Sequence, residues 1–339
     1  VFYLVPSLHI CSIKKEGTDV NKDYFRYLSV AIMFFFVWTI IHRPPVSQYI
    51  TSLQAQSIMA MKRSDQLYAE IAEKAKQYEI PPQDAVIDRV WKAIPGYNGL
   101  RVDVQASYEN MKRDGKFDEQ KLVFRQIPPR VHLDDLPPAP IYRGHPDKPM
   151  VAFLINVAWG EEYIPKMLDV LKKHHVKATF FLEGRWVKKH PEMAKMIVDA
   201  GHEIGNHSYS HPDLKSLSNA KIRKELAETN EVIEATTGVK CKWFAPPSGS
   251  YRNDVVNIAD DLGMKTIMWS VDTIDWQKPS PSVIVKRVMS KVHPGATILM
   301  HPTLSTAEAL EPLIVSIQRQ KYEIGSMSTL LDEKRIVKK

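Results

Sequence analysis

GHEIGNHSYSHPDL, Gly201–Leu214, reads as a short apolar strand running into a polar loop that carries His207 and His211 at i, i+4 spacing. That spacing lets two imidazoles meet one divalent metal. Gly205 and Asn206 are expected to turn the chain abruptly, so that both rings project into a cleft. Two histidines alone are more often structural than ligands, so the flanking segments decide the reading. KATFF precedes at Lys177–Phe181; FAPPSG, DTIDW and ILMH follow at Phe244–Gly249, Asp272–Trp276 and Ile298–His301.

From Met150 onward, short apolar runs alternate with amphipathic stretches. VAFLINV precedes IPKMLDVLKKH, KATFFLEG precedes PEMAKMIVDAG, and HEIGNH precedes NAKIRKELAETNEVIEATTG. WFAPP, KTIMWSVD, ATILMH and YEIGSM continue the rhythm, making about seven strand candidates. Apolar strands alternating with helices imply an α/β fold with a parallel sheet, either open and doubly wound or closed as a barrel. The chemistry-bearing residues fall where strands end, as in a barrel with its site at the carboxyl ends of the strands.

Upstream, residues 46–135 are expected to form a small N-terminal α/β domain. Ser52–Tyr78 has helical periodicity, IPPQDAVIDRVWKAI is expected to begin a second helix, GLRVDVQASYENMKR to pass from strand to helix, and LVFRQIPPRVHLDDL to hold a further strand. LPPAPIYRGHPDKP marks a proline-rich linker at 136–149, before the main domain at 150–339. Residues 1–45 read as a leader. Its uncharged run Tyr27–Ile41 is shorter than the roughly 20 residues of a spanning helix and fits an export signal or short anchor.

The chain has 339 residues, 44% of them hydrophobic, enough for about two domains. Its net charge of +7 comes from cations interleaved with acids, which argues against nucleic acid as a partner and fits work beside an anionic membrane or cell wall. Cys11 and Cys241 fall in different modules, which excludes a disulfide framework or thiolate metal site. His190 and His293 are expected on the surface near helix ends.

On KATFF, GHEIGNHSYSHPDL and the order of the later motifs, residues 148–335 resemble the NodB-homology polysaccharide deacetylases, carbohydrate esterase family four. These remove acetyl groups from N-acetylglucosamine units of peptidoglycan or chitin. The resemblance implies a distorted (β/α) barrel, zinc or another divalent metal, and a cell-wall polysaccharide as partner. The family's TFDDG motif aligns without gaps on Leu154, Ile155, Asn156, Val157 and Ala158, so both aspartates are replaced. In the family the first is the general base and the second joins the two histidines on the metal. Asn156 can hydrogen-bond a water but cannot take its proton, and Val157 offers no ligand atom.

The family's Arg-x-Pro-Tyr-Gly motif reads Ala245, Pro246, Pro247, Ser248, Gly249. The arginine that pairs with the catalytic aspartate is therefore replaced along with it. The Ser248 backbone N–H keeps the capacity to serve as an oxyanion donor, beside Pro247 in the groove. Asp275 and His301 match the family's orienting aspartate and general acid, while Trp276 and Leu299 match groove residues. The resemblance extends to degenerate, sporulation-associated members that bind glycan or a partner without hydrolysing it, with the N-terminal domain as the partner surface. An active deacetylase with an atypical site is the alternative, with Asp213 or Asp272 as a substitute ligand. A metal-free acyl transfer by Asp275 and His301 is remoter, because no serine elbow is present.

Overall fold

The structure is a computed structural model and describes residues 20–41 and 44–337. Cys11 and the first part of the expected leader lie outside them. By its contacts the chain divides into two compact units: the described residues up to Ile71 with Met111–Phe117, and Ala72–Asn110 with Asp118–Lys339.

The first unit contains α1, Val20–Ile41, and most of α2, Pro44–Ala75. Tyr24–Ile41 has mean hydropathy 1.7, with none of that window buried, and is long and apolar enough to cross a membrane by length and composition. The helix thus extends the apolar run back by one turn. α2 opens with Pro44 and Pro45, which its first turn tolerates because those N–H groups have no intrahelical partner.

In the second unit, the helix expected over IPPQDAVIDRVWKAI is instead a hairpin of β1, Val86–Asp88, and β2, Lys92–Ile94, paired antiparallel. The Asp88 carboxylate accepts the N–H groups of Val90 and Trp91, each at 2.7 Å, and Lys92 takes the left-handed conformation at φ 60 that closes a short hairpin loop. β3, Gly99–Val102, leads into α3, Val104–Met111, and pairs antiparallel with β4, Phe124–Ile127. A Cβ on Gly99 would lie 2.4 Å from the Ile80 carbonyl oxygen, so glycine alone allows that approach.

The repeating part runs β5 Met150–Val157, α4 Ile164–Lys173, β6 Thr179–Leu182, α5 Gly184–Lys189, α6 Pro191–Asp199, β7 Glu203–Asn206 and α7 Asn219–Thr237. It continues as β8 Trp243–Phe244, α8 Asn253–Asp261, β9 Lys265–Thr266, β10 Val271–Asp272, α9 Pro281–Met289, β11 Thr297–Met300, α10 Leu304–Arg319, β12 Glu323–Gly325 and α11 Met327–Leu331. The strands form one eight-stranded sheet in the order β10-β11-β5-β6-β7-β8-β9, with β12 also on β5. Every pairing in it is parallel. The expected strand KTIMWSVD splits into β9 and β10, which do not pair with each other.

That seam changes the role of 136–149. Ile141 is fully buried; its N–H donates to the Thr266 carbonyl at 2.9 Å and its own carbonyl accepts from Met268 at 2.8 Å. Tyr142 accepts from the Thr297 hydroxyl at 2.6 Å and Gly144 donates to Gly295 at 2.8 Å. The segment expected as a linker is therefore packed along the open edge of the sheet, where unpaired β9 backbone groups need partners.

Side chains alternate along β5. Val151, Phe153, Ile155 and Val157 join the cluster beneath the helices, whereas Ala152 and Leu154 join the interior cluster with Phe181, Trp243, Ile267 and α11. The helices answer with apolar stripes such as Ile164, Met167, Leu168 and Leu171 on α4. With both faces covered, the carboxyl ends of the strands are left to gather polar groups.

Candidate active site

His207 follows β7 directly and is 1% exposed. Its Nδ1–H donates to the Ala245 carbonyl at 2.8 Å, which leaves the Nε2 lone pair free. Burial, with lesser contributions from His211 and His301, pushes its pKa down to about 3, so the ring is neutral at physiological pH. The His211 ring stands edge-on at 5.0 Å. It opens to solvent at the mouth, and partial desolvation lowers its pKa too.

The loop between them is held by α7. Glu225 accepts from the N–H groups of Tyr209 at 3.0 Å and Ser210 at 2.8 Å and from the Ser210 hydroxyl at 2.8 Å. Asn206 accepts from the Ser208 N–H and donates to the Leu226 carbonyl and to Asn230, each at 2.8 Å. These bonds sustain left-handed backbone at Ser208, φ 61, and His211, φ 55. The abrupt turn expected at Gly205 and Asn206 thus falls two residues beyond Asn206, at Ser208. Both lie inside β7, where a Cβ on Gly205 would meet the Phe181 ring at 2.5 Å.

Asp275 is fully buried and saturated with donors. One oxygen faces His301 Nδ1 at 2.8 Å; the other accepts from the His301 N–H and the Thr306 hydroxyl, both at 2.6 Å. A carboxylate held this way fixes the imidazole orientation and leaves Nε2 free. Leu299, 4% exposed, sits on β11 before His301, and Trp276 stands 56% exposed beside Asp275. Trp159 stacks on His301 with centroids 6.0 Å apart and planes 8° from parallel.

The other strand ends differ. Asn156, at the end of β5, is 4% exposed with its Oδ1 lacking a hydrogen-bond partner. Val157 is fully buried in the apolar cluster beneath the helices. Ala245 is buried after β8 and offers its carbonyl to His207; Pro247 is buried, and Ser248 is exposed in left-handed backbone at φ 53.

Neither candidate substitute ligand joins the histidines. Asp213 accepts from the Ser250 hydroxyl, and Asp272 from the Ile274 N–H at 2.8 Å. Among the described residues no group of three or more His, Cys, Asp or Glu side chains is arranged to hold a metal. Two neutral imidazoles without an anionic ligand do not fit a tightly held zinc or similar ion.

His293 departs from expectation: it is half-buried against Trp91, with Nε2 buried and unpartnered, while His190 pairs with Glu161 at 3.5 Å. Burial pushes the Cys241 thiol up to about 12, which makes it inert. Trp159, Glu225 and Thr306 escaped the sequence reading. Trp159 has a usable signal, an aromatic residue directly after the altered β5 motif; the other two have none, because their contacts cross from distant helices.

Residues 143–267 match the profile of the polysaccharide deacetylase family. Over 94% of its length the chain is 53% identical to the uncharacterized protein YlxY of Bacillus subtilis, covering 99% of that protein. It is 34% identical to the peptidoglycan-N-acetylmuramic acid deacetylase PdaA of B. subtilis, over 58% of this chain and 76% of PdaA. Among solved structures, wild-type BA3943 of Bacillus anthracis, a CE4 family pseudoenzyme, superposes with TM-score 0.77 at 61% identity, over 80% of this chain and 96% of that one. A BA3943 mutant with restored enzymatic activity matches at the same TM-score and 60% identity, over 80% of this chain and 99% of the mutant. With the strand-end histidines, the Asp275–His301 pair and the parallel barrel in place, the chain belongs to the polysaccharide deacetylase family.

Proposed function

We propose that this protein binds N-acetylated cell-wall glycan, peptidoglycan or a chitin-like polymer, in an inherited deacetylase groove and hydrolyses it weakly or not at all. The observation that carries the reading is Asn156, an amide where the family places its base, together with two imidazoles that no carboxylate among the described residues joins to complete a metal site. An amide cannot accept a proton from water, and lack of the base alone costs on the order of a hundredfold to ten-thousandfold in rate. The relatedness to a pseudoenzyme supports the same reading. α1 would serve as the export signal or short anchor that brings the barrel to the wall.

The test is to measure bound zinc and acetate release from N-acetylglucosamine oligomers and peptidoglycan, together with binding to the same ligands, using the full chain in mild detergent. Glycan binding without acetate is expected. Turnover comparable to intact relatives, with one equivalent of zinc, would establish instead the second reading, an active metal-dependent N-acetylglucosamine deacetylase with an atypical site. The intact Asp275–His301 pair is what favours that second reading.

A further inference from the structure

Three tryptophans are exposed among the described residues. Trp38 lies on α1; of the other two, Trp159, 46% exposed, stacks on His301, and Trp276, 56% exposed, directly follows Asp275, the carboxylate that holds His301. Exposed indoles are unfavourable in water unless something covers them, and Trp186 and Trp243 of the same barrel are buried at 3% and 9%.

Trp159 is held in place from two sides. Its ring stacks on the imidazole, which Asp275 fixes from the Nδ1 edge. The next residue, Gly160, has φ +82, and a Cβ there would lie 2.0 Å from the Pro302 carbonyl oxygen, so the loops after β5 and β11 meet backbone to backbone. An indole so clamped loses little further freedom on binding a ligand. A flat, rigid aromatic surface suits the C–H face of a pyranose, whose hydroxyls remain at the wet rim.

We propose that Trp159 is a glycan-stacking wall of this pocket, acting with Trp276 on the pyranose rings of an N-acetylated polymer; the proposal rests on the glycan-binding reading above. It is tested by titrating the full chain and its Trp159→Ala, Trp159→Phe and Trp276→Ala variants with N-acetylglucosamine oligomers, following heat and intrinsic fluorescence. Trp159→Ala should weaken binding about tenfold, while Trp159→Phe, which keeps a ring, stays within about threefold of the parent. The ligand-induced change in tryptophan emission should shrink in Trp159→Phe even where affinity persists, a readout that does not depend on the alanine variant folding. Unchanged affinity in Trp159→Ala alongside weakened Trp276→Ala would overturn the proposal and leave the glycan reading standing. No binding by the parent chain to any oligomer would overturn the glycan reading, and this one with it.

Discussion

Around the site one wall, formed by the ends of β7, β10 and β11, keeps His207, His211, Asp275 and His301 in a bonded framework, whereas a second, formed by the ends of β5 and β8 that interleave with them in the sheet, presents Asn156, Val157, Ala245 and Ser248. The difference follows from how each wall is wired. The first wall's polar groups are shared with the scaffold: Glu225 and Asn206 tie the histidine loop to α7, and Thr306 of α10 ties down Asp275. Removing one of them leaves buried donors or acceptors unpaired, at about 1–3 kcal/mol each. On the reading proposed above, an aspartate and an arginine on the second wall would have answered mainly to each other and to a metal. Replacing both together by uncharged residues leaves no orphaned charge, so the fold tolerates it.

This contrast is broken most directly by Asn156→Asp with Val157→Asp. The pair is expected to raise zinc to about one equivalent and acetate release by on the order of a hundredfold to ten-thousandfold, measured by metal analysis and acetate assay. Failure to take up zinc would mean that the first wall no longer converges on one ion. Since Val157 faces the apolar cluster, the single Val157→Asp variant should melt well below the parent without zinc and regain stability when zinc is added.

Acid should loosen the preserved wall from the start of β7. His202, buried against Phe180 with Nδ1 accepting the Ala178 N–H, is pushed down to about 4 by burial. Its folded pKa lies below the unfolded value near 6.5, so its contribution is complete above that pH and is lost as pH falls toward 4, at about 1.4 kcal/mol per unit. Urea unfolding at pH 7 and pH 5 should show the loss, and His202→Gln should flatten the slope by about that amount.

Glu225→Ala, which removes the acceptor for three donors, should cost about 2–3 kcal/mol in urea unfolding. In the Asp-restored background it should also weaken zinc uptake. Preserved zinc affinity there would show that the loop holds its shape without α7. The smallest effect belongs to the other wall: Ser248→Gly, relieving left-handed backbone at φ 53, should raise stability by no more than about 1 kcal/mol, visible as a small rise in Tm.

Much of this wiring was legible from the chain. Continuous apolar runs such as VAFLINV announce strands covered on both faces, and the i, i+4 histidines and the DTIDW and ILMH segments announce a strand-end site. Local pattern failed where partners are remote. IPPQDAVIDRVWKAI has helix-like spacing, yet Asp88 captures the turn and its β-branched residues pair across a hairpin. LPPAPIYRGHPDKP has linker composition, yet its Ile141 and Tyr142 complete the seam beside β9 and β11.

The sequence by itself determined the alternation of strands and helices beyond Met150 and the identity of the residues at the strand ends, because burial period and residue chemistry are local properties of the chain. Only the tertiary structure decided that Asn156 has an unpartnered oxygen, that Val157 turns beneath the helices, that α7 holds the histidine loop and that Trp159 lies flat on His301. Those are contacts between segments distant along the chain, and their geometry is set by how the parallel sheet curls.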